Sequence, residues 1–259
     1  MKIAITGKGG VGKTTLSSTL ARVFSVGGSQ VLMVDADPDA NLAQSMGIPQ
    51  AEIDKIKPIA AMTELIEERT GAKPGAGGTM FKINPKVDDI PDVFSYRHKG
   101  IKLLVMGRAK AGGAGCYCPE NVLLKSLIRH LILQRGDIVV LDMEAGIEHL
   151  TRGTSGAVDA FIVVVEPGGR SIQTARQVQS LANDLGIKKV YVVGNKVRSD
   201  EDRDFIRTTL PGMELLGFMS YSAEVIAADL HGKEVYDNCP GLVKEVVAIK
   251  DRLLALTGK

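Results

Sequence analysis

Three groups of residues in this sequence have the types and spacing that chemistry on phosphates and metals requires. The first is the run GKGGVGKTT at residues 7–15, which fits the pattern G-x-x-x-x-G-K-[ST]. Glycines let consecutive backbone N–H groups face phosphate oxygens, and the following helix adds the positive end of its dipole. The run predicts a nucleoside triphosphate site formed by Gly7, Lys8, Gly9, Gly10, Val11, Gly12, Lys13, Thr14 and Thr15.

Three side chains of this run have individual roles to consider. The Lys13 ammonium group is expected to reach the β and γ phosphates, and the Thr14 hydroxyl to bind Mg²⁺. Lys8 is a second lysine near the start of the run, and a solvated loop lysine is the alternative to a role in binding phosphate. The expected chemistry is transfer of a phosphoryl group.

Carboxylates at the ends of two predicted strands form the second group. Asp35 and Asp37 end the second strand, on the same side of the extended chain, and Asp142 ends the fourth. Phosphoryl transfer to water needs a group that orients the water and carboxylates that hold hydrated Mg²⁺. Because the ends of parallel strands meet at one edge of a sheet, we expect these side chains to border the phosphates. Helix capping is the alternative for any single aspartate.

The third group is a pair of cysteines, Cys116 and Cys118, on a glycine-rich stretch before a predicted helix. A helix N-terminus favours the thiolate form, which binds zinc, nickel and copper(I). Two sulfurs leave a four-coordinate site half complete, whereas two copies of the stretch across a two-fold axis would supply four. A structural pair and a redox-active pair are the alternatives. Cys239 is isolated and is expected to be structural.

The elements that must position these residues alternate along the chain. Apolar, β-branched runs predict strands at Lys2–Thr6, Gln30–Ala36, Ile101–Gly107, Asp137–Met143, Ala160–Glu166, Lys189–Asn195 and, more weakly, Glu214–Ser220. Helical patterns cover Lys13–Ser25, Glu120–Gln134, Arg170–Leu185, Asp200–Thr209 and Gly241–Leu256. This order predicts a doubly wound, mostly parallel α/β sheet of about seven strands with helices on both faces. We expect one domain, residues 1–259, with an irregular insertion at about 71–99.

Composition excludes several classes of protein. Thirty-two basic and thirty acidic residues leave a net charge of +2, too balanced for a non-specific nucleic-acid binder. Only eleven aromatic residues (five Tyr, six Phe, no Trp) argue against stacking on single strands. No apolar run approaches the length of a membrane helix, and the first residues resemble a strand rather than a signal peptide. Three cysteines do not make a disulfide framework, so we expect a cytoplasmic protein. From its charge, aromatic content and hydropathy we expect it to bind neither nucleic acid nor membrane.

The run KGGVGKTT resembles the phosphate loop of a family that contains cell-division positioning ATPases, plasmid-partition ATPases and the nitrogenase iron protein. Within that family the sequence is similar to the carbon monoxide dehydrogenase accessory ATPases over nearly its full length. The similarity is carried by the phosphate loop, MFKINPKVDDIP at 80–91, GCYCPEN at 115–121 and DMEAGIEHL at 142–150.

The resemblance implies roles for residues already singled out. Two subunits would close face to face over two nucleotides, with Lys8 reaching the phosphates of the opposite subunit. Asp37 would orient the attacking water, Asp35 would lie nearer the Mg²⁺ ion, and Asp142 would hold a metal-bound water. Lys8, Lys13 and Asp37 are therefore the expected catalytic residues.

Asn195 and Lys196, at the end of the sixth predicted strand, resemble a base-recognition step in which an amide contacts the purine. No aspartate follows at the spacing that selects guanine, so ATP is favoured over GTP. A polar turn at the strand end is the alternative interpretation of this pair.

The implied function is ATP-driven insertion of nickel into carbon monoxide dehydrogenase, or the related acetyl-CoA synthase, by a homodimer. Cys116 and Cys118 would bind Ni²⁺, although Zn²⁺ also suits a four-thiolate site. One alternative is a reductase similar to the iron protein, with an iron–sulfur cluster between subunits, although the cluster cysteines of that relative lie far apart in sequence. Another is a septum- or partition-type positioning ATPase, which has no use for the cysteine pair.

Overall fold

The computed structural model describes residues 1–37, 39–74, 80–107, 118–133, 135–144 and 158–259. The strands are β1 (Lys2–Thr6), β2 (Val31–Ala36), β3 (Tyr96–His98), β4 (Ile101–Val105), β5 (Ile138–Met143), β6 (Ala160–Val165), β7 (Val190–Val197) and β8 (Glu214–Ser220). The α-helices are α1 (Lys13–Val26), α2 (Leu42–Ser45), α3 (Gln50–Ile53), α4 (Thr63–Thr70), α5 (Ile90–Val93), α6 (Pro119–Leu133), α7 (Gly169–Asp184), α8 (Asp200–Thr209), α9 (Ala223–Leu230), α10 (Val235–Asn238) and α11 (Pro240–Thr257). A short 3₁₀ helix covers Ile59–Ala61.

The strands form one sheet in the order β3-β4-β2-β5-β1-β6-β7-β8, in which β3 alone runs antiparallel to its neighbour. This confirms the doubly wound, mostly parallel sheet, and the weakly predicted strand at Glu214–Ser220 is present as β8. The count is eight rather than about seven, because β3 was expected to be irregular. Strand β3 turns into β4 through Lys99 and Gly100, which both have positive φ angles (46° and 81°).

The insertion predicted at 71–99 is therefore not irregular throughout. Its second half contains α5, with Ile90 and Pro91 buried, and the edge strand β3. Asp92 binds Lys102 on β4 at 2.7 Å, and Arg135 before β5 at the same distance. Arginine and lysine together hold the pKa of the Asp92 carboxyl well below its usual range. These ion pairs anchor the end of the insertion to the sheet.

Helices cover both faces of the sheet, as predicted. Helices α1 and α11 pack on one face through residues such as Leu16, Leu20 and Val246. Helices α6 and α7 pack on the other, where Leu127 and Val178 are buried. Because the central strands are buried on both sides, their sequences are continuously apolar, as in other parallel sheets. None of the helices in the described ranges has the length and apolarity to cross a bilayer.

Candidate functional site

The phosphate loop links the end of β1 to the start of α1, as the sequence predicts. Gly12 precedes the helix with a left-handed φ of 95°, and a Cβ at this position would lie 2.1 Å from Asn195 Nδ2. At Gly7 a Cβ would lie 2.4 Å from the carbonyl oxygen of Val164 on β6. Glycine is needed at both positions because the backbone passes so close to its neighbours. The loop is thus held in its shape by the strands beside it.

The two lysines of the loop have different surroundings. Lys13 is 7% exposed, and its Nζ lies 3.9 Å from Asp37 Oδ2. Lys8 is half-buried, and its ammonium group forms no ion pair within the described part of the chain. Lys13 is therefore already directed into the site of its own subunit, whereas none of the described carboxylates there binds Lys8.

Asp142, at the end of β5, is joined to the first turns of α1. Thr14 Oγ1 donates to Asp142 Oδ2 at 2.7 Å, and Ser17 Oγ donates to Asp142 Oδ1 at 3.1 Å. Burial raises the pKa of the Asp142 carboxyl to about 6, although these hydroxyls favour the charged form. A carboxylate and a hydroxyl are the oxygen ligands that Mg²⁺ prefers, and a cation would offset the cost of burying this charge. The residues present therefore fit Mg²⁺, with Thr14 and Asp142 as the groups that would hold it or its water.

Ser17 was missed by the sequence analysis. Its side chain is fully buried, and its Oγ also lies 2.9 Å from the carbonyl oxygen of Lys13, so one hydroxyl proton serves two acceptors. A serine on an amphipathic helix carries no signal of such a role. Only the packing of α1 against β5 brings the hydroxyl to the carboxylate.

Asp35, near the end of β2, and Asp37, just after it, have different surroundings. Asp37 is partly exposed, with Oδ2 near Lys13 and Oδ1 accepting from the backbone N–H of Asp39 at 3.0 Å. Asp35 is 1% exposed, and its oxygens accept from the backbone N–H groups of Asp37 at 3.3 Å and Leu42 at 3.0 Å. Burial raises the pKa of the Asp35 carboxyl to about 7, with further increases from Asp142 and Asp37. Asp37 is thus available to a ligand beside Lys13, whereas Asp35 is occupied by backbone.

Asn195 and Lys196, at the end of β7, are in contact with the phosphate loop. Asn195 Nδ2 donates to the Val11 carbonyl at 2.7 Å, and its Oδ1 accepts from the Lys196 N–H at 2.8 Å. Lys196 Nζ lies 2.6 Å from the Gly10 carbonyl oxygen and 3.2 Å from a carboxylate oxygen of Glu166. Both residues therefore support the loop. Recognition of a base by this pair stays a prediction.

A cavity of about 630 Å³ opens beside the phosphate loop, with Gly12, Thr15 and Asn195 in its wall. Its far side is formed by Arg198, Tyr221 and Ile226, and the Arg198 guanidinium lies 4.0 Å from the centre of the Tyr221 ring. Cavities of this size hold small-molecule ligands, and a planar cation over a ring is a surface on which a base can stack. Neither Arg198 nor Tyr221 was expected from the sequence, because they follow different strands, β7 and β8, and belong to no motif.

Of the predicted metal ligands, Cys118 lies half-buried directly before α6, and Cys116 lies outside the described residues. Across the described ranges, no three His, Cys, Asp or Glu side chains are grouped so that they could hold a metal ion. Cys239 is fully buried at the start of α11, where burial raises the pKa of its thiol. Its position agrees with the expected structural role.

Comparisons with known proteins agree with this geometry. The chain matches the CobQ/CobB/MinD/ParA nucleotide-binding domain family over residues 2–235. It is 47% identical over 258 residues to the carbon monoxide dehydrogenase accessory protein CooC of Rhodospirillum rubrum, covering 100% of this chain and 98% of that protein. An ATP-binding protein of Methanocaldococcus jannaschii is 51% identical over 238 residues, covering 91% of each chain. The MinD cell division protein of Aquifex aeolicus shares the fold, with a TM-score of 0.69, 18% identity and 98% of each chain covered.

The phosphate loop with its two lysines, the carboxylates at the ends of β2 and β5, and near half identity over the full length support one assignment. The chain belongs to the CobQ/CobB/MinD/ParA family of P-loop ATPases and, within it, to the carbon monoxide dehydrogenase accessory proteins.

Proposed function

We propose that this protein is an ATP-hydrolysing homodimer that carries nickel and assists its insertion into carbon monoxide dehydrogenase or the related acetyl-CoA synthase. The observation that carries the proposal is the 47% identity, over the full chain, to a carbon monoxide dehydrogenase accessory protein. It is supported by the site itself, where Lys13, Thr14, Asp37 and Asp142 converge at the end of the sheet.

The described residues support separate roles in hydrolysis: binding the phosphates, orienting the water and holding the metal ion. The loop N–H groups and Lys13 bind the phosphates, and Asp37, beside Lys13 and open to solvent, orients the attacking water. Thr14 and Asp142 would hold Mg²⁺ or its water, and the ion would supply positive charge to the phosphate oxygens. Lys8, which forms no ion pair with the carboxylates that the structure describes, is assigned to the phosphates across the dimer interface.

The proposed cargo site combines Cys116 and Cys118 from both subunits around one nickel ion. Cys118 directly precedes the 15-residue helix α6, and a helix N-terminus stabilises thiolates. If ATP favours the closed dimer that holds nickel, nickel must favour ATP binding by the same factor. Hydrolysis then reopens the dimer and releases the ion to its client.

The experiment is an anaerobic nickel titration of the metal-free protein, with metal counted per dimer. The wild type is compared with Cys116→Ala/Cys118→Ala and with Cys239→Ala, which removes a thiol buried elsewhere. We expect one nickel per dimer, lost in the double variant and kept in the control, and tighter ATP binding when nickel is present.

Two outcomes would overturn the proposal. Nickel binding that survives the double substitution removes the cysteines from the site, and equal ATP affinity with and without nickel removes the coupling. A brown chromophore after anaerobic purification would favour the reductase, and sedimentation with liposomes or retardation of DNA would favour the positioning ATPase.

A further inference from the structure

Asp35 and Asp142 occupy equivalent places on neighbouring strands but face different partners. They are paired in register between β2 and β5, so their side chains leave the same face of the sheet. Asp142 receives two hydroxyl groups from α1, whereas Asp35 receives two backbone N–H groups from the chain that follows it. Equivalent positions in the sheet have thus acquired different contacts.

The contacts of Asp35 shape the turn after β2. Its Oδ1 holds the N–H of Asp37, and its Oδ2 holds the N–H of Leu42, the first residue of α2. The residue at the usual capping position of α2, Asn41, makes no side-chain capping bond, so Asp35 supplies an acceptor from the preceding strand instead. One buried carboxylate therefore ties both ends of the segment from Asp37 to Leu42.

This segment carries the residue expected to orient water. The Asp37 backbone is held by Asp35, and from there its carboxylate reaches within 3.9 Å of Lys13 Nζ. Asp35 and Asp142 are both 1% exposed and both have their two oxygens engaged, so the difference lies in their partners. Backbone N–H groups beside Asp35 offer no ligand atom to a cation, whereas the hydroxyl oxygens beside Asp142 do. The arrangement suits a role for Asp35 in positioning Asp37 rather than in binding the cation itself.

We propose that Asp35 is a positioning residue rather than a Mg²⁺ ligand: its carboxylate fixes the turn from Asp37 to Leu42 and so places Asp37 beside Lys13. This rests on the proposed hydrolysis of ATP and replaces the sequence-based expectation that Asp35 lies nearer the metal. Asp142 keeps the metal-facing role, because its partners include the Thr14 hydroxyl.

The first test compares Asp35→Asn with Asp142→Asn in steady-state hydrolysis of ATP at varied Mg²⁺. Asparagine is close in size to aspartate, but its NH₂ group cannot accept from the second backbone N–H. We expect Asp35→Asn to lower kcat by about tenfold or more, since small misplacement of a catalytic group is costly. The KM for ATP and the half-saturating Mg²⁺ concentration should stay near their wild-type values, whereas Asp142→Asn should raise the latter. A half-saturating Mg²⁺ concentration that rises in Asp35→Asn as it does in Asp142→Asn would overturn the proposal, as would an unchanged kcat.

A second measurement uses the unsubstituted protein and so does not depend on the folding of a variant. Backbone N–H groups held by a buried acceptor exchange slowly with solvent. We expect the Asp37 and Leu42 amides to stay protected when Mg²⁺ and a non-hydrolysable ATP analogue are added. Faster exchange at Leu42 on addition would mean that the carboxylate has turned to the ion, and the proposal would fail. Absence of ATP hydrolysis in the wild type would instead count against the proposed function.

Discussion

The two ends of this site differ in how exposed their side chains are. The phosphate end comprises Lys13, Ser17 and Asp142, and the base end is the cavity wall with Lys196, Tyr221 and Ile226, where the base of the nucleotide is expected to bind. At the phosphate end Lys13, Ser17 and Asp142 are buried, and Asp142 accepts hydrogen bonds from the Thr14 and Ser17 hydroxyls. At the base end Lys196, Tyr221 and Ile226 are more than 40% exposed. Buried polar groups with complete partners hold one geometry, whereas exposed side chains adapt to what they bind. Substitutions at the phosphate end should therefore change hydrolysis, and substitutions at the base end should change affinity.

The largest effect is expected from Lys13→Ala. Loss of a buried ammonium group aimed at the phosphates should slow ATP hydrolysis by about 10²- to 10³-fold, as for other preorganised charge-stabilising groups. Phosphate release measured under saturating Mg²⁺ tests this, with Lys233→Ala, an exposed lysine, as the matched control. A Lys13→Ala variant that hydrolyses ATP as the control does would contradict the assignment of the phosphate end.

Gly12→Ala comes next, because a methyl group there overlaps the Asn195 amide and stands on a left-handed backbone. The strain of the left-handed residue alone is about 1–2 kcal/mol, and the overlap adds to it. We expect a lower free energy of unfolding and much weaker binding of a fluorescent ATP analogue. Gly241→Ala, where a Cβ meets open space, should cost nothing. If Gly12→Ala/Asn195→Ala is no more stable than Gly12→Ala, the overlap with the amide is not the cause.

A smaller effect is expected at the base end from Tyr221→Ala. The Arg198 guanidinium lies 4.0 Å from the centre of the Tyr221 ring, and such a cation–π contact contributes about 0.5–1 kcal/mol at an exposed position. The KM for ATP should rise a few-fold with kcat unchanged, and Tyr221→Phe, which keeps the ring, should behave like the wild type. A fall in kcat in steady-state assays would break the proposed contrast between the two ends.

The smallest effect separates Lys196→Gly from Lys196→Ala. Both variants lose the contacts of the ammonium group, but residue 196 has a φ of 56°, which glycine adopts without strain. The glycine variant should be more stable by about 1 kcal/mol, or about 2–4 °C in Tm for a protein of this size. Thermal unfolding followed by circular dichroism measures this difference, and a more stable alanine variant would contradict it.

Much of the fold was predictable because the signals are local. Continuous apolar runs identify central parallel strands, and the loop at 7–15 identifies the end of the sheet where the site must lie. Strand β3 was missed because its three residues, Tyr96, Arg97 and His98, are too few to show alternation, and pairing with β4 alone makes them a strand.

The site was predictable as a set of residues but not as a set of contacts. The sequence indicates that Asp35, Asp37 and Asp142 lie at strand ends, yet it does not say which of them faces metal, water or backbone. Those distinctions depend on Ser17 and on the Leu42 N–H, which belong to separate elements and follow no spacing rule. The contact between Arg198 and Tyr221 was not predictable either, because the two residues are far apart in sequence and meet only in the folded chain.

The short antiparallel strand β3 also limits how copies of this protein can associate. It borders the sheet with three residues, among them the exposed Arg97, and then reverses through two residues with positive φ. A long, flat edge of free N–H and C=O groups invites a second sheet to extend it, with the risk of aggregation. A short edge with a charged residue disfavours such pairing, so association of copies through a continuous sheet on this side is disfavoured.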